Sequence, residues 1–505
     1  MKIFSPAQVR AWDAYTIAHE PITSLDLMNR ASRVFADWLM GYFPDTTQPV
    51  YVFVGPGNNG GDGLAVARML HQAFYPVKVF VCALTDQVSA DFAAQREILP
   101  EGVDVLDGFD LLKTGLEGNP QVLVDALFGS GLNWPLEGDW IQLIDLLNFT
   151  SIPKFAIDIP SGLAADRAST GPCVRATRTL SFETSKLAFM LPENADRVGE
   201  WSVASIGLHP AYVQETETPF YYLTQVDIDV FFKKRAKFSH KGSFGHALLL
   251  VGSYGKIGAA VLSGKACLRS GVGLLTIHAP TCGYTVLQTT VPEAMCTPGL
   301  GSEYLENLPD LTPYKAIGIG PGIGTNPATA VMMEQLLRTV QVPLVLDADA
   351  LNLLSKQPDW WRLVPRNTVL TPHPGEFARL FGKTADDFER LDLLRRKAQE
   401  HGVFIILKGA NTAIATPDGA CWFNSTGNPG MATGGSGDVL TGILTGLLAQ
   451  GYAPLDACRL GVWAHGYAGD LAADKLSQEA LLAGDLVGYL GGVWLELGLI
   501  PRPTP

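Results

Sequence analysis

The hydrophobic positions at the N-terminus of the chain follow a helical period. Ser5, Pro6 and Gln8 have the types and spacing of a capping box that opens a helix. A second helix, ending at Gly41, is predicted by an apolar stripe of Leu25, Met28, Ala31, Val34, Phe35, Trp38 and Leu39. From Val50 the pattern changes to short β-branched runs separated by helical stretches, which predict buried parallel strands at residues 51–54, 77–83, 122–125 and 155–158.

This alternation stops near Gly207 and resumes later in the chain. Residues 209–227 are polar and aromatic by turns, which predicts a linker. A second α/β series follows, with strands predicted at residues 246–251, 274–278, 316–320, 344–347, 369–371, 404–408 and 413–415. The sequence therefore predicts two α/β domains, at residues 1–220 and 225–505, and the first has the pattern of a Rossmann-like, doubly wound parallel sheet.

The composition is that of a chain with large folded cores. Of the 505 residues, 47% are hydrophobic and 17% are charged, which excludes a disordered or coiled-coil protein. The net charge, 37 − 50 = −13, argues against a nucleic-acid-binding protein. The seven cysteines form no CxxC pair, which argues against a disulfide scaffold or a zinc ribbon. No signal-peptide pattern and no apolar run near ~18 residues is seen, so we expect a soluble, cytoplasmic protein without a membrane partner.

The clearest motif of the first domain is V-G-P-G-N-N-G-G-D-G at residues 54–63, directly after a predicted strand. Glycines in such a loop let backbone amides and a helix N-terminus approach an anion. Gly55, Gly57 and Gly60 satisfy GxGxxG, which is a weak signal alone. The acidic residue that dinucleotide-binding folds place about 20 positions later is missing, and the loop instead carries polar side chains.

Two later strands of this domain end in carboxylates, Asp125 and Asp158, and Ser161 follows the second. Because the carboxyl ends of parallel strands share one edge of a sheet, we expect these residues to converge with Asn59. Oxygen ligands from Asn59, Asp125 and Ser161 would suit a hard cation, and Asp158 could transfer a proton. The alternative is that these glycine and aspartate residues only form turns and caps.

Taken together, residues 58–63, 125–131 and 158–162 resemble the NAD(P)HX epimerase family, over about residues 1–215. The resemblance implies R to S epimerisation at C6 of the hydrated nicotinamide. It also implies a bound potassium ion, with Asn59, Asp125 and Ser161 as its ligands. The substrate contacts that it implies are Asn58, Asn59, Gly60, Gly61, Asp62, Gly129, Ser130, Gly131, Leu132, Asn133, Trp134, Pro135 and Asp158. Asp158 is our choice for the catalytic acid or base.

The clearest motif of the second domain is N-P-G-M-A-T-G-G-S-G-D at residues 428–438. It runs directly into a predicted apolar helix. A glycine-rich turn at a helix N-terminus binds anions, and Asp438 in the first helical turn could deprotonate a hydroxyl group. Gly442 and Gly446 within this helix would allow close packing. A capped, buried helix would explain the apolar stripe, but not the glycines together with Asp438.

Other loops that follow predicted strands supply further candidate ligand-binding residues at the same edge of the predicted sheet. Residues 408–412 have the charge, amide and hydroxyl suited to a nucleotide, residues 319–325 form a second glycine-rich turn, and His373 lies between two prolines. No GxxxxGK[ST] sequence is present, which excludes a Walker-type nucleotidase by motif. The loops resemble the ribokinase-like superfamily. Within it, residues 241–246, 347–352, 371–376 and 428–438 resemble the ADP/ATP-dependent NAD(P)HX dehydratase, across nearly all of residues 230–500.

This second resemblance implies a phosphoryl transfer to the C6 hydroxyl, with Asp438 as the base, followed by loss of phosphate to regenerate NAD(P)H. The nucleotide would bind Lys408, Gly409, Ala410, Asn411, Thr412 and Gly437, and the hydrated cofactor would contact Ala259, Gly322, His373 and Asp438. ADP with magnesium is the expected co-substrate, and the family resemblance also implies a homo-oligomer.

The predicted protein is therefore a bifunctional enzyme that repairs both epimers of NADHX and NADPHX. A second hypothesis is that the C-terminal half is a ribokinase-like small-molecule kinase, which would leave a stable phosphorylated alcohol. A third is that the N-terminal half is only a binding module for a nucleotide-like ligand or a protein.

Overall fold

The computed structural model describes residues 1–84, 87–116, 118–132 and 134–499. The chain divides into two compact units, and each is an α/β structure built around one large sheet. The first unit contains residues 2–218 and a short segment at 386–388. The second unit contains residues 219–385 and the chain from residue 389 onward, together with Met1.

The first unit has a seven-stranded sheet in the order β3-β2-β1-β4-β5-β6-β7, and every neighbouring pair is parallel. The strands are β1 Val50–Val54, β2 Val77–Val81, β3 Asp104–Asp107, β4 Val122–Ala126, β5 Lys154–Ile157, β6 Arg178–Phe182 and β7 Glu200–Ala204. The predicted doubly wound parallel sheet is confirmed. The chain reverses direction across the sheet between β1 and β4, which is where such folds form a ligand-binding crevice.

Helices cover both faces of this sheet. They are α1 Pro6–His19, α2 Ser24–Tyr42, α3 Asn58–Gln72, α4 Ala90–Glu97, α5 Leu111–Thr114, α6 Asp139–Phe149, α7 Ala195–Val198 and α8 Pro210–Glu215. The capping box predicted at Ser5 is present, with both reciprocal hydrogen bonds to Gln8. Alternate residues of β1 enter different hydrophobic clusters: Val52 packs with α2 and α3, and Phe53 packs with α6. A strand that is apolar at almost every position is predicted to be buried on both faces, and the two hydrophobic clusters bury the two faces of this sheet.

The second unit has a ten-stranded mixed sheet in the order β11-β10-β9-β12-β13-β14-β15-β16-β17-β8. The strands are β8 Phe220–Leu223, β9 His246–Leu250, β10 Leu274–Ala279, β11 Met295–Pro298, β12 Ala316–Ile319, β13 Leu344–Leu346, β14 Val369–Leu370, β15 Phe404–Leu407, β16 Ala413–Ala415 and β17 Cys421–Asn424. The pairs β15–β16 and β16–β17 are antiparallel, and the other pairs are parallel.

The predicted linker at residues 209–227 is wrong, because it contains helix α8, strand β8 and the start of another helix. β8 is the edge strand of the second sheet and pairs in parallel with β17. Tyr221 stacks on Trp422 with ring centroids 4.2 Å apart, and Leu223 is fully buried. The aromatic run was the signal of this strand, since aromatic residues favour pleated, half-buried surfaces.

The helices of the second unit are α9 Gln225–Asp229, α10 Ile257–Arg269, α11 Tyr284–Thr290, α12 Pro327–Thr339, α13 Ala348–Lys356, α14 Pro374–Phe381, α15 Asp387–His401 from residue 389 onward, α16 Ser436–Ala449, α17 Pro454–Leu476 and α18 Ala483–Leu499. Helix α16 is the central one, and it is buried from Val439 to Ala449. Gly442 and Gly446 face α10, where a Cβ on either would overlap atoms of Ser263 or Ser270. Within the part of the chain that the structure describes, no helix combines the length and apolarity needed to cross a membrane.

Candidate active sites

The segment predicted as a glycine-rich loop in the first unit is the start of helix α3, with Gly57 as its N-cap and Asn58 as its first residue. Two glycines make this possible by close approach. A Cβ at Gly60 would overlap the carbonyl oxygen of Gly55, and a Cβ at Gly63 would lie 2.6 Å from the Cβ of Ala126 at the end of β4. The first turn of α3 is therefore held against the carboxyl ends of β1 and β4, where its free amides can bind an anion.

Asp125 and Ser161 form a buried polar cluster at this edge. Ser161 donates from its Oγ to Asp125 Oδ1 at 2.5 Å and from its backbone nitrogen to Asp125 Oδ2 at 2.8 Å. The nitrogen of Phe128 donates to Ser161 Oγ at 2.8 Å. Burial raises the pKa of Asp125 to about 6, against the lowering effect of its hydrogen bonds to Ser161.

Asn59 lies next to this cluster. A Cβ at Gly129 would be 3.3 Å from Asn59 Oδ1, and Gly129 follows the residue that donates to Ser161. Asn59 Nδ2 is buried and has no hydrogen-bond partner among the described residues. No group of three or more His, Cys, Asp or Glu side chains that could hold a metal ion is found in the described part of the chain. The oxygen atoms of this cluster come from the Asp125 carboxylate, the Asn59 amide, the Ser161 hydroxyl and the backbone.

Asp158 follows β5 in a left-handed backbone conformation, with φ of +65°. Its Oδ1 accepts from Lys186 Nζ at 2.7 Å and from the nitrogen of Phe182 at 3.1 Å. The Lys186 side chain is 1% exposed and also donates to Ser181 Oγ at 3.0 Å. An aspartate with positive φ beside a buried lysine is a constrained arrangement, typical of functional sites.

A cavity of about 720 Å³ opens onto Asp158. The predicted substrate contacts that line it are Asn58, Asn59, Asp62, Gly129, Ser130, Gly131, Leu132, Trp134 and Asp158. Of the other predicted contacts, Gly60, Gly61 and Pro135 do not line it, and Asn133 lies outside the described residues. Asp13 and Glu183 also line the cavity and were missed in the sequence, because Asp13 belongs to a helix distant from every motif.

In the second unit, α16 begins at Ser436 after the left-handed residue Gly435, with φ of +97°. Asp438 lies in the first turn of this helix. Burial raises the pKa of Asp438 to about 6; the charges of Asp347 and Asp349 add to this, and Lys408 opposes it. A carboxyl group with such a pKa can accept a proton near neutral pH.

Lys408 is held next to this helix N-terminus by two acidic residues. Its Nζ donates to Asp347 Oδ1 at 3.0 Å and lies 3.9 Å from Glu376 Oε2. Burial alone would lower the pKa of Lys408, but the charges of Asp347 and Glu376 outweigh burial and raise it. Asp347 is 1% exposed and also accepts from Thr441 Oγ1 at 2.7 Å, so it links Lys408 to α16.

The predicted nucleotide contacts Lys408 and Gly437 are neighbours, since a Cβ at Gly437 would lie 3.2 Å from Lys408 Nζ. The rest of that predicted segment, at residues 409–412, forms an exposed to half-exposed turn in which Thr412 Oγ1 donates to the Gly409 carbonyl oxygen at 2.9 Å. The lysine therefore lies at the α16 N-terminus, where phosphate oxygens would bind.

The predicted contacts to the hydrated cofactor lie on three elements. A Cβ at Gly322, which has φ of +65°, would be 3.1 Å from the Cβ of Ala259 on α10. His373 is the N-cap of α14, and its backbone nitrogen donates to Glu376 Oε2 at 2.9 Å. Glu376 in turn lies 3.9 Å from Lys408, whose charge also acts on Asp438.

His465, on α17, contacts the N-terminus of α16. It is buried, and burial lowers its pKa to about 4, so the imidazole is neutral at physiological pH. Its Nε2 lies 2.9 Å from the carbonyl oxygen of Ser436 and can donate to it. This residue, Asp347 and Glu376 were not among the predicted site residues. Strand-end position could have identified Asp347, but a histidine in the middle of a long apolar helix gives no such signal.

Each unit thus places a glycine-rich helix N-terminus and a carboxyl group of raised pKa at the carboxyl ends of parallel strands. This is the arrangement of an α/β enzyme with one site for a phosphorylated ligand in each domain.

Known proteins resemble both units. The family described as NAD(P)H-hydrate dehydratase matches residues 247–490, and the YjeF-related protein N-terminus matches residues 24–188. The bifunctional NAD(P)H-hydrate repair enzyme of Moorella thermoacetica is 37% identical, over 97% of this chain and 96% of that protein. The enzyme of the same name from Escherichia coli is 33% identical, over 93% and 89%. The chain belongs to the bifunctional NAD(P)H-hydrate repair enzyme family.

A solved structure agrees with the fold of the second unit. A ribokinase-like superfamily protein from Enterococcus faecalis is 28% identical and has a TM-score of 0.50, covering 56% of this chain and 98% of that one. The predicted epimerase and dehydratase resemblances and the ribokinase-like fold class are confirmed.

Proposed function

We propose that the first unit interconverts the R and S epimers of NADHX and NADPHX, and that the second unit dehydrates the S epimer to NAD(P)H at the expense of ADP, giving AMP and phosphate. The observation that carries the proposal is Asp438, a carboxyl group with a pKa of about 6 in the first turn of α16, beside Lys408. The family resemblance also supports a cytoplasmic homo-oligomer that has neither nucleic acid nor a membrane as a partner.

The dehydration chemistry follows from the second site. Hydroxide is a poor leaving group, so the C6 hydroxyl must first be converted to a phosphate ester. Asp438 removes the hydroxyl proton as the oxygen attacks the terminal phosphorus of ADP, and AMP leaves. The amides of residues 434–437 and Lys408 stabilise the charge on the transferred phosphoryl group. Phosphate then leaves C6, and loss of a C5 proton completes the double bond of the dihydronicotinamide.

Magnesium, when bound, would neutralise phosphate charge during this transfer. Asp347 is committed to Lys408 and Thr441. Asp349, whose charge acts on Asp438, is therefore the carboxylate of this group that could contact a hydrated ion. Asp349 Oδ2 already accepts from the nitrogen of Gly324 at 2.9 Å and from Lys256 Nζ at 3.4 Å.

Potassium is proposed for the first unit, with Asn59, Asp125 and Ser161 as ligands. The oxygen atoms fit: Asp125 is buried with only neutral hydrogen-bond donors, and Asn59 Oδ1 lies 3.3 Å from the Cβ position of Gly129, next to the residue that donates to Ser161. Oxygen ligands with a single carboxylate suit a hard cation of low charge. Bound potassium would offset the burial of the Asp125 carboxylate.

Potassium chloride should therefore stabilise the protein more than choline chloride of the same ionic strength. At about a hundredfold excess over Kd, a ligand of the native state adds about 2.7 kcal/mol to the free energy of unfolding. The measurement is thermal unfolding of the whole chain, and Asp125→Asn should remove the difference between the two salts. Equal melting curves of the unaltered protein in both salts would contradict the proposed potassium site.

The proposed function is tested with a mixture of NADHX epimers, the protein and either ADP or ATP. Recovery of NADH is followed by its near-ultraviolet absorbance. We expect the whole pool to be recovered with ADP, because the first unit supplies the S epimer as the second unit consumes it. No recovery with either nucleotide would refute the dehydratase, and fast recovery of only the S fraction would refute the epimerase. A stable phosphorylated alcohol as product would favour a small-molecule kinase.

Asp158→Asn should divide this time course into two phases. The S epimer should be consumed at the normal rate, and the remainder should follow at nearly the spontaneous exchange rate, about 100-fold or more below the enzymatic one. The matched control is Asp37→Asn, an exposed aspartate of α2 that faces Arg33 on the helix surface. A single fast phase in Asp158→Asn would rule out Asp158 as the acid or base.

A further inference from the structure

Asp13 is a carboxyl group in the first unit's cavity whose role the motifs do not explain. It lies on α1, on the turn between the buried residues Trp12 and Thr16, and its side chain lines the cavity together with Asp158. It forms no hydrogen bond or ion pair with the protein in the ranges that the structure describes. A half-buried carboxyl group that faces a cavity without a protein partner is available to a ligand.

The charged groups around Asp13 are already committed to other partners. Lys186 donates to Asp158 at 2.7 Å and to Ser181 at 3.0 Å. Glu183 accepts from Ser205 at 3.0 Å and from the nitrogen of Ile206 at 2.7 Å. Among the described residues no cation, including Arg10 on the same cavity wall, forms an ion pair with Asp13.

The remaining titratable groups on the cavity wall are Asp62, Asp91 and Arg10. Asp62 accepts from Ser32 Oγ at 3.1 Å, and burial raises its pKa well above the ordinary value. Asp91 accepts from Ser24 Oγ at 2.6 Å. Neither carboxyl group is as free of protein contacts as Asp13.

This environment favours the protonated form of Asp13. Burial raises its pKa to about 7, the negative charge of Asp158 adds to the effect, and Lys186 opposes it. Asp158, in contrast, is held in an ion pair with a buried lysine. Two carboxyl groups on one cavity wall, one without a protein partner and one ion-paired to a buried lysine, have the pattern of an acid and a base.

We infer that Asp13 and Asp158 are the two proton-transferring groups of this cavity, with Asp13 as the acid and Asp158 as the base for exchange at C6. The inference rests on the proposed epimerase function and deepens it. Asp13 donates its proton to the C6 hydroxyl as the C6–O bond breaks, water leaves, and the positive charge is carried on N1. Water then adds to the other face of C6 and gives its proton to Asp158.

The cycle is balanced and needs no co-reactant. One water molecule leaves and one is added, and the proton lost by Asp13 is replaced by the proton that Asp158 receives. Proton exchange between the two groups through the cavity water restores the starting state. Because either face of C6 can be attacked, the same two groups serve both directions of the reaction.

Asp13→Asn is the test, with epimer exchange measured directly and spontaneous exchange subtracted. The rate of the unaltered protein should fall as pH rises through about 7, since the acid must be protonated. Asp13→Asn should exchange about 100-fold or more slowly and lose this pH dependence, while dehydration of the S epimer stays normal. Asp13→Glu should restore part of the rate together with a titrating limb, and the Asp37→Asn control should match the unaltered protein.

A structural role of Asp13 is tested separately by unfolding. The folded pKa of about 7 lies above the unfolded value of 3.8, so stability falls as pH rises between these values. Asp13→Asn should therefore be at least as stable as the unaltered protein at pH values above this window. If Asp13→Asn exchanges epimers at the normal rate with the same pH dependence, the inference is overturned and the proposed function stands. If the unaltered protein does not accelerate exchange, the proposed epimerase function itself is refuted.

Discussion

Asp438→Asn should abolish recovery of NADH from the S epimer while epimer exchange continues. The amide keeps the size of the side chain in the first turn of α16 but cannot accept the hydroxyl proton. Loss of a positioned base costs about 10²- to 10⁴-fold in rate. The measurement is kcat/KM for dehydration of the S epimer with saturating ADP. A variant that keeps a tenth or more of the activity would show that Asp438 is not the base, and Asp359→Asn, at an exposed surface position, is the matched control.

The pH profile separates this role from a structural one. Because burial raises the pKa of Asp438 to about 6, the rate of the unaltered enzyme should decline below that pH, about tenfold per unit, and level off above it. The folded pKa lies above the unfolded value of 3.8, so the carboxyl group costs stability as pH rises through this window. Asp438→Asn should therefore be inactive but no less stable above this pH. A variant that is both inactive and destabilised there would indicate a structural role.

Gly442→Ala should destabilise the second unit strongly although it adds one methyl group. The new Cβ would overlap the carbonyl oxygen of Ser263 and lie 3.0 Å from the Cβ of Ala266, both on α10. Backbone atoms of a packed helix cannot rotate away, so the two helices must move apart. Overpacking of this kind costs about 1–3 kcal/mol and occasionally more. The measurement is the free energy of unfolding of the second unit in urea, within the whole chain.

Gly488→Ala is the matched control, because this exposed glycine of α18 has open space around its Cβ position. Alanine is favoured over glycine in a helix by about 1 kcal/mol, so the control should be neutral or slightly stabilised. Equal stability of the two variants would show that α10 and α16 can separate without loss. Gly442→Ala should also lower dehydration, since the two helices carry Ala259 and Asp438.

The central strands of both sheets could be predicted from sequence because they are buried on both faces. Strands β1, β4, β9 and β12 are largely apolar. The edge strands β3 and β7, with exposed or polar positions, and β6, with polar Arg178, Thr179 and Ser181, were missed. The start of α3 was also missed. Its first turn is made of asparagine and glycine, which have low helix propensity, and close packing against β1 and β4 outweighs that propensity.

The placement of the candidate site residues at one edge of a sheet was predictable for those that follow a strand or open a helix beside it. Asp125, Asp158 and Asp438 stand next to glycine-rich segments, and the fold brings each to the carboxyl edge of its sheet. Asp13 and Lys186 lie outside the quoted motifs, and only the folded chain shows Asp13 on the cavity wall and Lys186 paired with Asp158. A single aspartate on the polar side of an N-terminal helix looks like any solvated residue until its neighbours in space are known.

Strand β8 determines where the chain can be divided into two separate proteins. A shortened gene that begins after Leu223 would leave one edge of β17 unpaired and remove the Tyr221 ring that stacks on Trp422. An open edge of that kind invites pairing with another chain and aggregation. A dehydratase expressed alone should therefore start at or before Pro219, so that it keeps strand β8.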